Sequence, residues 1–155
     1  MRPPRVLVVN GPNLDKLGTR QPEIYGSTTL AELEERLRVR GEELGLAVEC
    51  FQSNVEDEIV AAVTKAPGDG IAAILINPAA LSHFSYPLRD ALAGTGLPVV
   101  EVHISNIHAR EPFRRLSLVS GVAKGVIAGL GANGYALALD AIAGMVGVPQ
   151  KGAAT

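Results

Sequence analysis

Five short apolar runs, most of them continuous rather than alternating, restrict this chain to few architectures. They are Val6 to Val9, Val48 to Gln52, Ile71 to Asn77, Val99 to Ile104 and Gly125 to Leu130. A run that is apolar at successive positions has no wet face, so these segments read as strands buried on both sides. Helical patterns lie between them. Leu30, Leu33, Leu37 and Leu44 fall near one face, and Thr29 with Glu32 forms a capping-box pattern. Val55, Ile59 and Val63 repeat that spacing, Pro87 suits the first turn of a helix running to about Leu92, and Tyr135 to Val146 is apolar on most sides. Gly68-Asp69-Gly70 and Gly94-Thr95-Gly96 punctuate the returns to strands. Strand and helix therefore alternate, which predicts an α/β fold. The expected form is a three-layer, flavodoxin-like sandwich on a five-stranded parallel sheet of order 2-1-3-4-5. Residues 1–150 are expected to form a single α/β domain, with Lys151 to Thr155 as a frayed tail.

Composition removes several classes of function. Hydrophobic residues make up 47% of the 155, too many for a disordered chain, and area scaling buries about two-thirds of the surface in a chain of this size. The formal net charge of -2 argues against a nucleic-acid partner gripped by its backbone. The single cysteine, Cys50, allows no internal disulfide and fits a reducing, cytoplasmic setting. No apolar run approaches the roughly 20 residues of a membrane span, and Met1-Arg2-Pro3-Pro4 leads into no signal-peptide core.

Ligands of open parallel sheets bind beyond the carboxyl ends of the strands. Here those ends carry Asn10-Gly11-Pro12-Asn13, Gln52-Ser53-Asn54, Asn77-Pro78 leading to Ser82-His83, and Glu101 with His103 followed by Ser105-Asn106. Asn and Ser are also ordinary turn formers, so each cluster alone has a plain structural explanation. Glu101 and His103 alternate along one strand and share a face. A carboxylate beside an imidazole fixes its tautomer and favours its protonated form, and as a merely structural pair in an apolar strand it would be expensive. A metal site from Glu101, His103 and His108 lacks any recognised ligand spacing. Arg110, Arg114 and Arg115 beside Glu111 read equally as a solvated helix face or as an anion and hydroxyl clamp.

The polar segment Leu14 to Ser27 is long for a strand-to-helix connection and suggests a lid, with Gly18 or Gly26 as hinge. It carries Arg20 and Tyr25. A tyrosine acting as a base near neutral pH must lose its proton about three units below its ordinary ~10, a cost of about 4 kcal/mol. One guanidinium about 4 Å away supplies roughly that much at an effective dielectric of about 20, and desolvation opposes it. A second cation would close the gap.

Taken in order, these residues resemble the type II 3-dehydroquinate dehydratase family from about Val6 to Ala143. The first block is Asn10-Gly11-Pro12-Asn13-Leu14 with Gly18, Arg20, Pro22, Glu23, Tyr25 and Gly26; the second is Gln52-Ser53-Asn54 with Glu56. The third is Ile76-Asn77-Pro78-Ala79-Ala80 with Ser82-His83, Ser85 and Leu88-Arg89-Asp90-Ala91-Leu92. The fourth is Glu101-Val102-His103-Ile104-Ser105-Asn106 with Arg110-Glu111, Phe113-Arg114 and Ser117, and the last is Gly129, Gly131 and Gly134-Tyr135. Any one block is a weak signal; five in order are specific.

The resemblance implies a hydro-lyase that dehydrates 3-dehydroquinate to 3-dehydroshikimate. The route is an anti elimination through an enolate, in the shikimate pathway or in quinate breakdown, with neither metal nor organic cofactor. It implies Tyr25 as base, activated by Arg20 with Arg110 as second cation. Asn13 would hold a water against the enolate oxygen. His103, oriented by Glu101, would be the acid. The amides of Ile104 and Ser105, with Asn77, would bind the carboxylate, and His83 and Arg114 the ring hydroxyls. Asp90 would reach the site of a neighbouring subunit in a dodecamer of four trimers. Asp15-Lys16, Phe84 and Tyr86-Pro87 depart from the family pattern near the lid or the subunit contact. None of Lys16, Lys65, Lys124 and Lys151 ends a strand inside the site, which disfavours Schiff-base chemistry.

Three rivals follow from the fold alone. A nucleotide-binding module needs a Ser/Thr-rich phosphate loop after strand 1, where this chain has Asn-Gly-Pro-Asn. A phosphoacceptor domain needs aspartates where Asn10 and Asn77 stand. A catalytically dead relative would have lost a matched position, and none is lost.

Overall fold

The computed structural model describes residues 2–148, and the expected tail, 151–155, lies outside them. Five strands, β1 (Arg5–Asn10), β2 (Ala47–Gln52), β3 (Ile71–Asn77), β4 (Val99–His103) and β5 (Gly125–Ala128), form one sheet. Its order is β2-β1-β3-β4-β5 and every pairing is parallel. The helices are α1 (Pro22–Tyr25), α2 (Leu30–Leu44), α3 (Glu56–Lys65), α4 (Tyr86–Gly94) and α5 (Asn133–Met145).

Side-chain alternation along the strands divides the core in two. Val6 and Val8, Ala73 and Leu75, Val100 and Val102 pack with Leu33 and Leu37 of α2 and with Ala138, Leu139 and Ile142 of α5. Val9, Ile74, Ile76 and Val99 face the other way, onto Ile59 and Val63 of α3 and Leu88 and Leu92 of α4. Both sheet faces are thus covered, which is why the strands read as continuous apolar runs. Thr29 caps α2 by accepting from the Glu32 N–H at 3.2 Å, and Ser85 caps α4 by accepting from Leu88 at 3.1 Å.

Two strands end earlier than in the sequence reading. Strand β4 ends at His103 rather than Ile104, and β5 at Ala128 rather than Leu130. Gly129 has a φ of 88°, which turns the chain back so that Gly129 N–H reaches the His103 carbonyl at 3.2 Å and Gly131 N–H the Ile104 carbonyl at 3.1 Å. The apolar run continues past the residue at which its backbone can still pair.

The connections after β1 and β3 meet at the point where the chain changes direction across the sheet. Gly11 N–H donates to the Asn77 carbonyl at 2.8 Å. A Cβ on Gly11 would lie 2.5 Å from the Pro78 carbonyl oxygen and 2.8 Å from its carbon. Backbone cannot yield as a side-chain tip can, so Gly11→Ala is expected to cost about 3 kcal/mol in urea unfolding, the upper part of the usual overpacking range.

Candidate active site

A cleft opens at the carboxyl ends of β1, β3 and β4, between the two direction-reversing connections. Asn13, Arg20, Tyr25, Asn77, His83, His103, Ile104, Ser105, Arg110 and Arg114 all line it. Ten of the twelve site residues expected from the sequence therefore come together. Glu101 lies beneath the cleft, fully buried, and Asp90, on α4, is not among the lining residues; its exposed carboxylate is paired with Arg89 at 2.9 Å. His108 is not among the lining residues; it stands on the one-turn 3-10 helix Ile107–Ala109.

The floor of the cleft is the Glu101-His103 pair. His103 Nε2 bonds Glu101 Oε2, leaving Nδ1 as the imidazole's second functional atom. The same carboxylate accepts from Ser117 Oγ at 2.7 Å and from Ser120 Oγ at 2.5 Å. Burial pushes the Glu101 carboxyl up, but the bonds from His103, Ser120 and Ser117 together outweigh it and hold it below the usual carboxylate range. Glu101 is thus a buried anion with three donors. Ser117 in turn accepts from the Val119 and Ser120 N–H groups at 3.2 and 3.3 Å, so a tight turn presents both hydroxyls.

Above the floor stands Tyr25. Arg110 Nη1 donates to its hydroxyl at 2.8 Å and to Ser105 Oγ at 3.2 Å, and the guanidinium lies 5.3 Å from the phenol ring centroid. The sequence reading made Arg20 the principal partner of Tyr25 and Arg110 the second. The structure places Arg110 in direct contact and Arg20 on the cleft wall. A guanidinium has no acceptor, so the Tyr25 oxygen must be the accepting partner.

The segment carrying Tyr25 is more structured than a polar loop. Leu14 and Leu17 are buried in the α2/α5 core, at 7% and 5% exposure, and pin its first half. Gly18, at φ 88°, packs so closely on Ser27 and Thr28 that a Cβ there would approach their backbone to 2.9 Å and 3.0 Å. Pro22 then starts the single turn of α1 that ends at Tyr25.

Asn13 adopts φ 72°, a conformation asparagine tolerates, and its N–H donates to Asn54 Oδ1 at 2.8 Å. Gln52 Nε2 donates to the same oxygen at 3.0 Å, and Asn54 Nδ2 to Asp15 Oδ2 at 3.4 Å. Strand 2 therefore buttresses the loop after strand 1, and Asp15 is the outer end of that network. Lys16, beside Asp15, lines the cleft itself. On the opposite wall, His83 Nδ1 bonds the Leu116 carbonyl at 2.8 Å and its ring meets Phe113 edge to face at 5.6 Å. Arg114 is held by Glu111 and lies over Phe113, 4.7 Å from the ring centroid. The sequence reading left Arg110, Arg114 and Arg115 open between a solvated face and a clamp; Arg110 and Arg114 line the cleft and Arg115 does not.

Sequence reasoning gave no role to Ser117, Ser120, Asn54 or Tyr135, although Ser117, Asn54 and Tyr135 stand in the matched blocks. The first two lie in an irregular segment whose hydroxyls meet Glu101 only through the tertiary fold.

The comparisons agree with this geometry. The family model for Dehydroquinase class II matches residues 4–143. The 3-dehydroquinate dehydratase of Thioalkalivibrio sulfidiphilus is 57% identical over 137 residues, which cover 88% of this chain and 93% of that protein. Among solved structures, the type II dehydroquinase of Propionibacterium acnes superposes with a TM-score of 0.87 at 48% identity, over 90% of this chain and 96% of that one. That of Butyrivibrio crossotus gives 0.88 at 41% identity, over 90% and 97%. A chain matched this completely, with its polar residues gathered at the strand ends, belongs to the class II dehydroquinase family.

Proposed function

We propose that this chain dehydrates 3-dehydroquinate to 3-dehydroshikimate, and that Tyr25 and His103 divide the two proton transfers. The observation that carries the reading is the pairing of two opposed devices in one cleft: a phenol bonded to a guanidinium, and an imidazole bonded to a buried carboxylate. Loss of water from a β-hydroxy ketone needs a base for the proton beside the carbonyl, a stabiliser for the enolate and an acid for the departing hydroxyl. Tyr25, supported by Arg110 and with Arg20 nearby, takes the proton. Asn13 holds a water against the enolate oxygen. His103, steadied by Glu101, gives its proton to the hydroxyl as the C–O bond breaks, in an anti elimination.

The remaining lining residues hold the substrate. The amides of Ile104 and Ser105, with Asn77, grip its carboxylate; His83 and Arg114 hold ring hydroxyls. No step calls for a metal or an organic cofactor. Asp90 completes a neighbouring subunit's site in a dodecamer of trimers working in the cytoplasm. Support for an assembly comes from the apolar surface beside α4, where Phe84, Tyr86, Phe113 and Leu116 are each more than half exposed. The departures Phe84 and Tyr86-Pro87 belong to that surface, away from the proton-transfer residues.

Incubation with 3-dehydroquinate tests the reading. Absorbance of the conjugated enone product is expected to rise at an undiminished rate in the presence of a chelator. Borohydride added with substrate is expected to leave the enzyme active, because among the described residues Lys16 is the one lysine lining the cleft and no step passes through it. Absence of product refutes the activity; covalent trapping by borohydride refutes the mechanism.

A further inference from the structure

Helix α5 reaches the site through one residue. Tyr135, in its first turn, is fully buried; its hydroxyl accepts from Asn77 Nδ2 at 2.8 Å and donates to Asn10 Oδ1 at 2.6 Å. Asn10 and Asn77 are register partners at the last positions of β1 and β3, 1% and 3% exposed. Strand alternation turns both side chains toward α5, following Val8 and Leu75.

The polarity of this chain of bonds is set from its outer end. The Ala79 N–H donates to Asn77 Oδ1 at 3.1 Å, and an N–H cannot accept. The Asn77 carboxamide must therefore turn its oxygen to Ala79 and its nitrogen to Tyr135. The tyrosine oxygen then accepts, and its own proton goes to Asn10 Oδ1. Asn10 Nδ2 is left without a partner among the described residues. The Asn10 amide is thus oriented to serve the tyrosine rather than to satisfy its own donors. Asn77 Nδ2 has two protons, and Tyr135 engages one. Asn77 also lines the cleft, so the second is available to an acceptor there.

Resting on the reading above, in which Asn77 helps grip the substrate carboxylate, we infer that Tyr135 is a positioning residue for substrate binding. With the Ala79 N–H fixing which end is oxygen, its hydroxyl anchors Asn77 Nδ2 so that the second proton of that nitrogen serves the cleft. A flipped amide would offer a carbonyl oxygen to a carboxylate and repel it. The substrate carboxylate keeps its charge from ground state to transition state. Weakening its grip removes uniform binding, which raises KM and leaves kcat alone. A purely structural role for Tyr135 would move the melting temperature and not KM.

Steady-state kinetics with 3-dehydroquinate on Tyr135→Phe, Asn10→Ala, Asn77→Ala and the Tyr135→Phe/Asn77→Ala double variant decide the matter. Tyr135→Phe is expected to raise KM roughly fivefold to tenfold with kcat within about twofold. Asn10→Ala, which removes the hydroxyl's acceptor, is expected to move KM in the same direction and carries the test if the tyrosine variant does not fold. Adding Tyr135→Phe to Asn77→Ala is expected to change KM by less than about twofold, because the residue it positions is gone. The inference is overturned if Asn77→Ala raises KM while Tyr135→Phe, or Asn10→Ala standing in for it, does not. It is also overturned if the two effects multiply in the double variant, or if Asn77→Ala leaves KM unchanged. A wild-type protein that produces no 3-dehydroshikimate removes the functional reading itself, and the inference with it.

Discussion

Tyr25→Phe is expected to lower kcat by about 10³-fold, within the usual range for removing a general base, while ligand binding changes by a few-fold at most. The substitution deletes one oxygen and no ring. The phenyl group keeps its place beside the Arg110 guanidinium, and Arg110 keeps Ser105 as an acceptor. The wall of the cleft therefore survives the change, and Tyr25 is the one α1 residue that lines it. Turnover is read from enone absorbance and binding from calorimetry with the product. A variant that binds normally and retains more than about a tenth of the wild-type rate excludes Tyr25 as the base.

Glu101→Gln is the second large effect, and it acts on rate and stability together. Three donors converge on this carboxylate, from His103, Ser117 and Ser120. A carboxamide offers one acceptor oxygen and places an NH₂ against at least one of those donors. It also removes the negative charge that faces the His103 imidazole. The expected fall in kcat is on the order of 10²-fold or more. Stability in urea is expected to fall by about 3 kcal/mol, because the site is fully buried and the orphaned donors cannot reach water.

The pH dependence of that stability carries its own sign. The Glu101 carboxyl is held below the ordinary carboxylate range in the folded protein. As pH falls, the unfolded chain takes up the proton first, near about 4.3. The contribution of Glu101 is therefore complete above that pH and is lost as pH drops toward the folded value. In Glu101→Gln the unfolding free energy is expected to fall less steeply with acidification below about pH 4 than in the wild type. An unchanged slope would mean that the carboxylate is not the anion described above.

Much of this was legible before any coordinates. Continuous apolar runs revealed a sheet covered on both faces, and five strands alternating with helices left a small choice of order. The polar residues at the strand ends then located the cleft, because parallel strands aim their carboxyl ends one way. What escaped depends on contacts that spacing does not encode. Leu14 and Leu17 read as lid residues, yet they pin that segment into the core, and a single helical turn from Pro22 is too short to carry a periodic signal. Arg110 rather than Arg20 meets the Tyr25 hydroxyl, a contact between residues 85 positions apart that local spacing cannot show. Tyr135 reads as one more apolar residue of a buried helix. Its hydroxyl acquires meaning only when Asn10 and Asn77 are found side by side beneath it.

The division of labour between Tyr25 and His103 is tested most directly by deuterium uptake into unreacted substrate. 3-Dehydroquinate is incubated in heavy water with His103→Ala and, separately, with Tyr25→Phe, and its mass is measured after recovery. With the base present and the acid missing, the enolate forms and returns, so His103→Ala is expected to add one deuterium beside the ketone without releasing product. Tyr25→Phe is expected to add none above the enzyme-free control. Uptake by the tyrosine variant and none by the histidine variant would contradict the assignment of both residues.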